Sequence, residues 1–268
     1  MSELRVLSVS NQKGGVGKTT TAINLGTALA AVGERVLLID LDPQGNASTG
    51  LGMSRAGARA TVYDVIAAGF PIAEAARPTA LPGLDLLCSD PDLSGIEIEL
   101  AGVAGRNFRL RDALRAVREQ SGDTAYSYVL IDCPPSLNLL TVNAMAAADA
   151  VLVPLQCEFF ALEGLTQLMR TIELVRGGLN PRLEIQGLVL TMYDRRNSLS
   201  AQVAADVRAH FGDKVYQSVI PRNVRVSEAP SFGKPVLVYD LKCAGSRAYL
   251  DLARELVGRE RARRTEAA

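Results

Sequence analysis

Residues Asn11–Asn24 read NQKGGVGKTTTAIN, and the alignment of this run settles the kind of fold to expect. Against the phosphate-loop pattern G-x-x-x-x-G-K-[ST], the last three positions fall on Gly17, Lys18 and Thr19, so Gln12 stands where the first glycine belongs and Lys13 is a second lysine. Gly14, Gly15 and Gly17 let the backbone curl until successive N–H groups, that of Val16 among them, converge on a phosphate, and a helix N-terminus adds partial positive charge. Lys18 would neutralise β- and γ-phosphate oxygens, Thr19 would offer its hydroxyl to Mg²⁺, and Thr20 would donate to the α-phosphate. The pattern carries weight only between a strand and a helix. Upstream lies the apolar run LRVLSVS from Leu4, and downstream Ile23, Leu25, Ala28 and Leu29 recur at helical spacing.

The same alternation continues along the chain. Short runs rich in Val, Ile and Leu predict further strands: RVLLID from Arg35, LDLLCS from Leu84, YVLID from Tyr128, AVLVPL from Ala150, IQGLVL from Ile185 and VYQSVI from Val215. Helices are expected at Thr19 to Ala31, Arg109 to Glu119, Leu162 to Arg176, Ser200 to Phe211 and Ser246 to Glu260. Strands that are apolar throughout and separated by helices imply an α/β fold, a mostly parallel twisted sheet covered by helices on both faces. Ser54 to Pro82, interrupted by Gly, Ala and Pro, reads as surface loops and short helices. The polar tail RERARRTEAA is expected to fray from about residue 258.

Bulk properties narrow the function classes. The chain has 268 residues, 48% of them hydrophobic, and 29 Lys+Arg balance 29 Asp+Glu. One domain over residues 1–268 is the expectation. Zero net charge points to no global affinity for nucleic acid or membrane. Cys88, Cys133, Cys157 and Cys243 form no C-x-x-C pair, as in a reduced cytoplasmic chain, and Cys133 follows a buried strand and reads as structural. His210 is the only histidine, which argues against multi-histidine metal sites and Ser-His-Asp triads. The sequence has no long apolar run or leader, so no membrane partner is expected.

A nucleotide hydrolase also needs acids for the metal and for water. VLIDCPPS ends a strand in Asp132, at the carboxyl edge where open α/β sheets bind ligands. LLIDLDPQGNAST ends another in Asp40, with Asp42 two residues on. Asp132 and Asp40 are candidates for the Mg²⁺ shell and Asp42 for orienting the attacking water; the competing reading is that Asp40 or Asp42 caps a turn before Pro43.

Together, KGGVGKTT, LLIDLDPQGNAST, VLIDCPPSLN, PLQCEFFALEG and VIPRNVRVSEAPSFGKPV resemble the ParA (Soj) family of chromosome-partitioning ATPases, from about Leu4 to about Val257. The resemblance implies a phosphate-loop NTPase fold with the deviant loop, and ATP and Mg²⁺ as cofactors. It also implies a homodimer that sandwiches two nucleotides, and slow hydrolysis stimulated by the centromere-bound partner ParB. In such a dimer Lys13 would reach the phosphates of the other subunit, supplying the charge an arginine finger supplies elsewhere. The resemblance places the base near Met192 and the IPRNV loop, with Pro221 and Asn223 as contacts; Asn223 reads equally well as a turn former.

A local excess of positive charge marks a candidate surface for double-stranded DNA, the competing reading being a merely solvated basic face. From Leu190 to Ala268 there are 14 Lys+Arg against 9 Asp+Glu, leaving 15 against 20 in the rest. Such clusters favour sequence-independent phosphate contact. The resemblance supports Arg196 and Arg225, with Arg195 beside them, and implies a cytoplasmic, nucleoid-associated protein. With the first strand starting at Leu4, no N-terminal DNA-binding domain is expected. The alternatives within this fold are a MinD-like site-selection ATPase, for which the tail lacks bulky apolar residues, an iron–sulfur reductase or carrier, and a ligase acting on a metabolite.

Overall fold

The computed structural model describes residues 4–122, 125–158 and 161–267; Phe159 and Phe160 of PLQCEFFALEG, and Ala268 of the tail, lie outside them. Seven strands, β1 (Arg5–Val9), β2 (Val36–Asp40), β3 (Arg77–Pro78), β4 (Leu84–Leu87), β5 (Tyr128–Asp132), β6 (Ala150–Gln156) and β7 (Glu184–Thr191), form one sheet in the order β3-β4-β2-β5-β1-β6-β7. All neighbours are parallel except β3, which pairs antiparallel with β4. β1, β2 and β5 are buried at every position, as strands covered on both faces must be.

Alternation within the strands divides the core in two. Leu37 and Ile39 point to one layer with Ile66, Leu114, Met145 and Leu168, while Val36 and Leu38 point to the other with Leu25, Leu29, Leu252 and Leu256. Helix Lys18–Ala31 and the C-terminal helix Ala244–Ala267 cover that second face together. Helices Val62–Ala68, Arg109–Arg118, Leu139–Ala147 and Ala161–Gly178 pack on the first.

Two expectations are corrected. VYQSVI is not a strand: Tyr216 N donates to Leu188 O at 2.9 Å and Ile220 N to Leu190 O at 2.8 Å, four residues against two. Between these bonds the N–H groups of Gln217 and Ser218 turn to the Glu255 carboxylate, both at 2.9 Å, so no ladder runs along β7. The seventh strand is instead the two-residue β3, inside the stretch read as loops. The tail expected to fray is placed as helix to Ala267. Glu260, 2% exposed, ties that helix down, pairing with Arg5 Nε at 3.3 Å and accepting from Gln186 Nε2 at 2.8 Å.

Candidate nucleotide site

β1 delivers the chain into the loop at the carboxyl edge of the sheet, and helix Lys18–Ala31 leads it away. Gly15 and Gly17 take φ of 75° and 88°, the left-handed region where a Cβ is strained. No side chain caps this helix N-terminus and no acid lies in its first turn. Its N–H groups and its dipole are therefore left for an anion. Val16 is buried under the loop, and its carbonyl accepts from Thr191 Oγ1 at 2.8 Å.

A hollow of about 640 Å³ opens over this loop, lined by Gly14, Gly15, Gly17, Lys18, Thr19, Thr20, Asp42 and Met192. Gln44, Asn46, Ser94, Ser136 and Asn138 also line it. Sequence reasoning passed over these polar residues; the first two and the last two lie in the loops that follow the strand-end aspartates Asp40 and Asp132, a position that could have flagged them. Lys18 Nζ donates to the Lys13 carbonyl at 3.0 Å. Burial pushes its ammonium below the ordinary lysine value, against the pull of Asp132, Cys133 and Asp42.

The register of β2 on β5 makes Asp40 and Asp132 neighbours, and both are fully buried. Asp40 Oδ2 accepts from Ser48 N and Ser48 Oγ, each at 2.7 Å, while Asp40 Oδ1 and both Asp132 oxygens lack hydrogen-bond partners. Burial pushes Asp40 up to about 6, with the Ser48 bonds working against it. Burial and the neighbouring Asp40 raise Asp132 well above the carboxylate range, opposed by the Thr19 hydroxyl and Lys18. Two buried acids with three unpartnered oxygens beside a threonine hydroxyl are what a hard cation satisfies. Asp42 sits in the following loop, where its Oδ1 accepts from Gln44 N at 3.0 Å.

Other expected residues are placed less centrally. The Lys13 ammonium is ion-paired with Glu158. Met192 takes φ of 50°, alone among the described non-glycine residues, and its side chain lies beside Gly17. Pro221 lines a separate hollow of about 970 Å³ together with Arg195, Arg196, Arg222 and Arg247. Asn223 Oδ1 caps helix Val224–Glu228, accepting from Arg225 N at 2.9 Å. Arg196 grips Asp194 through two nitrogens, at 3.0 and 2.9 Å, and holds that carboxyl down to about 2. Arg225 pairs with Glu228 at 3.1 Å and Asp240 at 3.5 Å. Among the described residues no helix is long and apolar enough to cross a membrane.

Comparison with known proteins gives this geometry a context. A family model described as an AAA domain matches residues 4–185. The chain is 75% identical over 265 residues to the chromosome partitioning protein ParA of Caulobacter vibrioides, covering 99% of this chain and 98% of that one. It is 50% identical over 252 residues to the sporulation initiation inhibitor protein Soj of Bacillus subtilis, covering 94% and 98%. Among solved structures, cobyrinic acid a,c-diamide synthase of Mycobacterium smegmatis with bound ATP analog and magnesium superposes with a TM-score of 0.80 at 38% identity, covering 95% and 94%. The cell division ATPase MinD of Pyrococcus furiosus superposes with a TM-score of 0.77 at 26% identity, covering 95% and 98%. Identity of 75% along nearly the full length of both chains outweighs any likeness of loop alone, and it makes this chain a member of the ParA (Soj) family of chromosome-partitioning ATPases.

Proposed function

We propose that the protein is an ATP-driven DNA-segregation switch: two ATP-loaded chains pair across their nucleotides, bind double-stranded DNA without sequence preference, and are released when a ParB-type partner stimulates hydrolysis. The observation that supports it most is the buried Asp40–Asp132 pair, with its unpartnered oxygens, at the mouth of an uncapped helix N-terminus.

In this reading the Gly14–Thr20 backbone and Lys18 cradle ATP, and Met192 closes on the base end; Pro221 and Asn223, which do not line the nucleotide hollow of the single chain, are base contacts on the family resemblance alone. Thr19, Asp40 and Asp132 would hold Mg²⁺, which supplies charge neutralisation on the phosphates. Among the described residues no three His, Cys, Asp or Glu side chains gather as a self-sufficient metal cage. That fits Mg²⁺, which one or two carboxylates hold together with substrate phosphates and water. Asp42 orients the attacking water. Lys13 leaves Glu158 and crosses to the partner's phosphates, which ties hydrolysis to pairing. Arg195, Arg196 and Arg225 meet DNA phosphates in the paired form.

DNA binding measured with ATP, with ADP and without nucleotide, at two salt concentrations, tests the switch. Binding that requires ATP and weakens steeply with salt is expected; equal binding in all three states would overturn it.

A further inference from the structure

Gln12 breaks the phosphate-loop pattern, and none of the chemistry above uses it. Its half-buried carboxamide does not line the nucleotide hollow. Instead Nε2 donates to Thr171 Oγ1 at 2.7 Å, and Thr171 is a buried residue of helix Ala161–Gly178. The Thr171 hydroxyl donates onward to the Gln167 carbonyl at 3.2 Å, which leaves its lone pairs to Gln12.

The residues on either side are fastened to the same part of the molecule. Asn11 Nδ2 donates to the Pro154 carbonyl of β6 at 2.8 Å, and Asn11 Oδ1 accepts from Lys13 N at 3.0 Å. The Lys13 ammonium pairs with Glu158, between β6 and that helix. The first turn of the loop is thus fastened chiefly to β6 and helix Ala161–Gly178, whereas the rest leads into helix Lys18–Ala31 and is held at Val16 by Thr191 of β7.

We propose that the Gln12–Thr171 hydrogen bond is a positioning contact through which helix Ala161–Gly178 fixes the turn carrying Lys13, so that it governs turnover and not nucleotide affinity. The proposal rests on the reading of Lys13 as the lysine that crosses to the partner's phosphates. A long lysine side chain reaches a transition state reliably only if its backbone is held, and sub-ångström misplacement of a catalytic group is costly. Gln12 makes that hold and Thr171 transmits it.

The test compares Thr171→Val, which keeps the shape and removes the hydroxyl, with Thr171→Ser, Gln12→Leu and the double variant Gln12→Leu/Thr171→Val. Turnover, KM, Mg·ATP affinity and melting temperature are measured for each, with Lys13→Ala alongside. Thr171→Val and Gln12→Leu should each lower kcat about fivefold, the equilibrium weight of one neutral buried hydrogen bond, with Mg·ATP affinity within about twofold. The double variant should be no worse than either single one, since both remove one interaction, and Thr171→Ser should restore turnover. Gln12 is only half-buried, so its variant reads the contact even if Thr171→Val fails to fold. Wild-type kcat in Gln12→Leu, additive losses in the double variant, or a parallel loss of Mg·ATP affinity would overturn the proposal. If Lys13→Ala turns over normally, the reading of Lys13 is what fails; if Lys13→Ala is dead while Gln12→Leu is normal, only the positioning contact fails.

Discussion

Asp40 and Asp132 are register partners at the carboxyl ends of β2 and β5, both fully buried, with three of their four oxygens lacking a hydrogen bond. The fold therefore disfavours their ionised forms. For Asp40, raised to about 6, the nucleotide-free protein bears no cost below about pH 4, a growing cost as pH rises through 6, and the full cost above that, up to about 3 kcal/mol. Asp40→Asn should melt higher than wild type at pH 7.5 without nucleotide, and the difference should vanish near pH 4. Mg·ATP reverses the sign, because the cation needs both carboxylates ionised; its stabilisation of wild type should shrink as pH falls below 6. Melting curves from pH 4 to 8, with and without Mg·ATP, check both. A less stable Asp40→Asn at pH 7.5 would contradict this account.

Lys18→Ala should abolish nucleotide binding. Its ammonium is the loop's fixed counter-charge, held in place by the Lys13 carbonyl at 3.0 Å. An ATP titration that matches wild type would withdraw Lys18 from the site.

Asp42→Ala should still bind ATP and dimerise, yet hydrolyse at least roughly tenfold more slowly, a loss of about 1.4 kcal/mol at the transition state. Because Asp42 Oδ1 also braces Gln44 N, Asp42→Asn separates the roles: it keeps the turn and loses the charge. Slow turnover in both variants assigns the charge to the water; normal turnover in Asp42→Asn assigns Asp42 to the turn alone.

Replacing Arg196 and Arg225 by Glu tests the DNA surface. Neither lines the nucleotide hollow, so ATP affinity should persist while DNA affinity collapses. The new carboxylates would also face Asp194, Glu228 and Asp240, which now hold the arginines. In wild type the log-log salt slope should be about −0.9 per phosphate neutralised, with little sequence preference. Wild-type affinity for nonspecific DNA in the double variant, at matched salt, would move the surface elsewhere.

What the chain reveals before folding is uneven, for physical reasons. LLID and VLID ending in aspartate mark buried strands that stop at the ligand edge, so Asp40 and Asp132 are readable without coordinates. VYQSVI has the same apolar look, but the Glu255 carboxylate that diverts its N–H groups lies nearly forty residues away in sequence. Helix Leu139–Ala147 escapes notice because eight of its nine residues are buried; a helix buried all round shows no amphipathic period. The left-handed Met192 is equally silent, since nothing in MYD demands it.

Arg5 stands at the start of a central strand, yet a partner that neutralises it, Glu260, lies 255 residues later. During synthesis β1 emerges long before helix Ala244–Ala267, and until Glu260 arrives its guanidinium has only the exposed Glu184, at 3.2 Å, as an ionic partner. Closing a loop of that span is slow. A nascent chain stalled before Glu260 therefore holds, at the start of a central strand, a charge whose buried partner has not yet arrived.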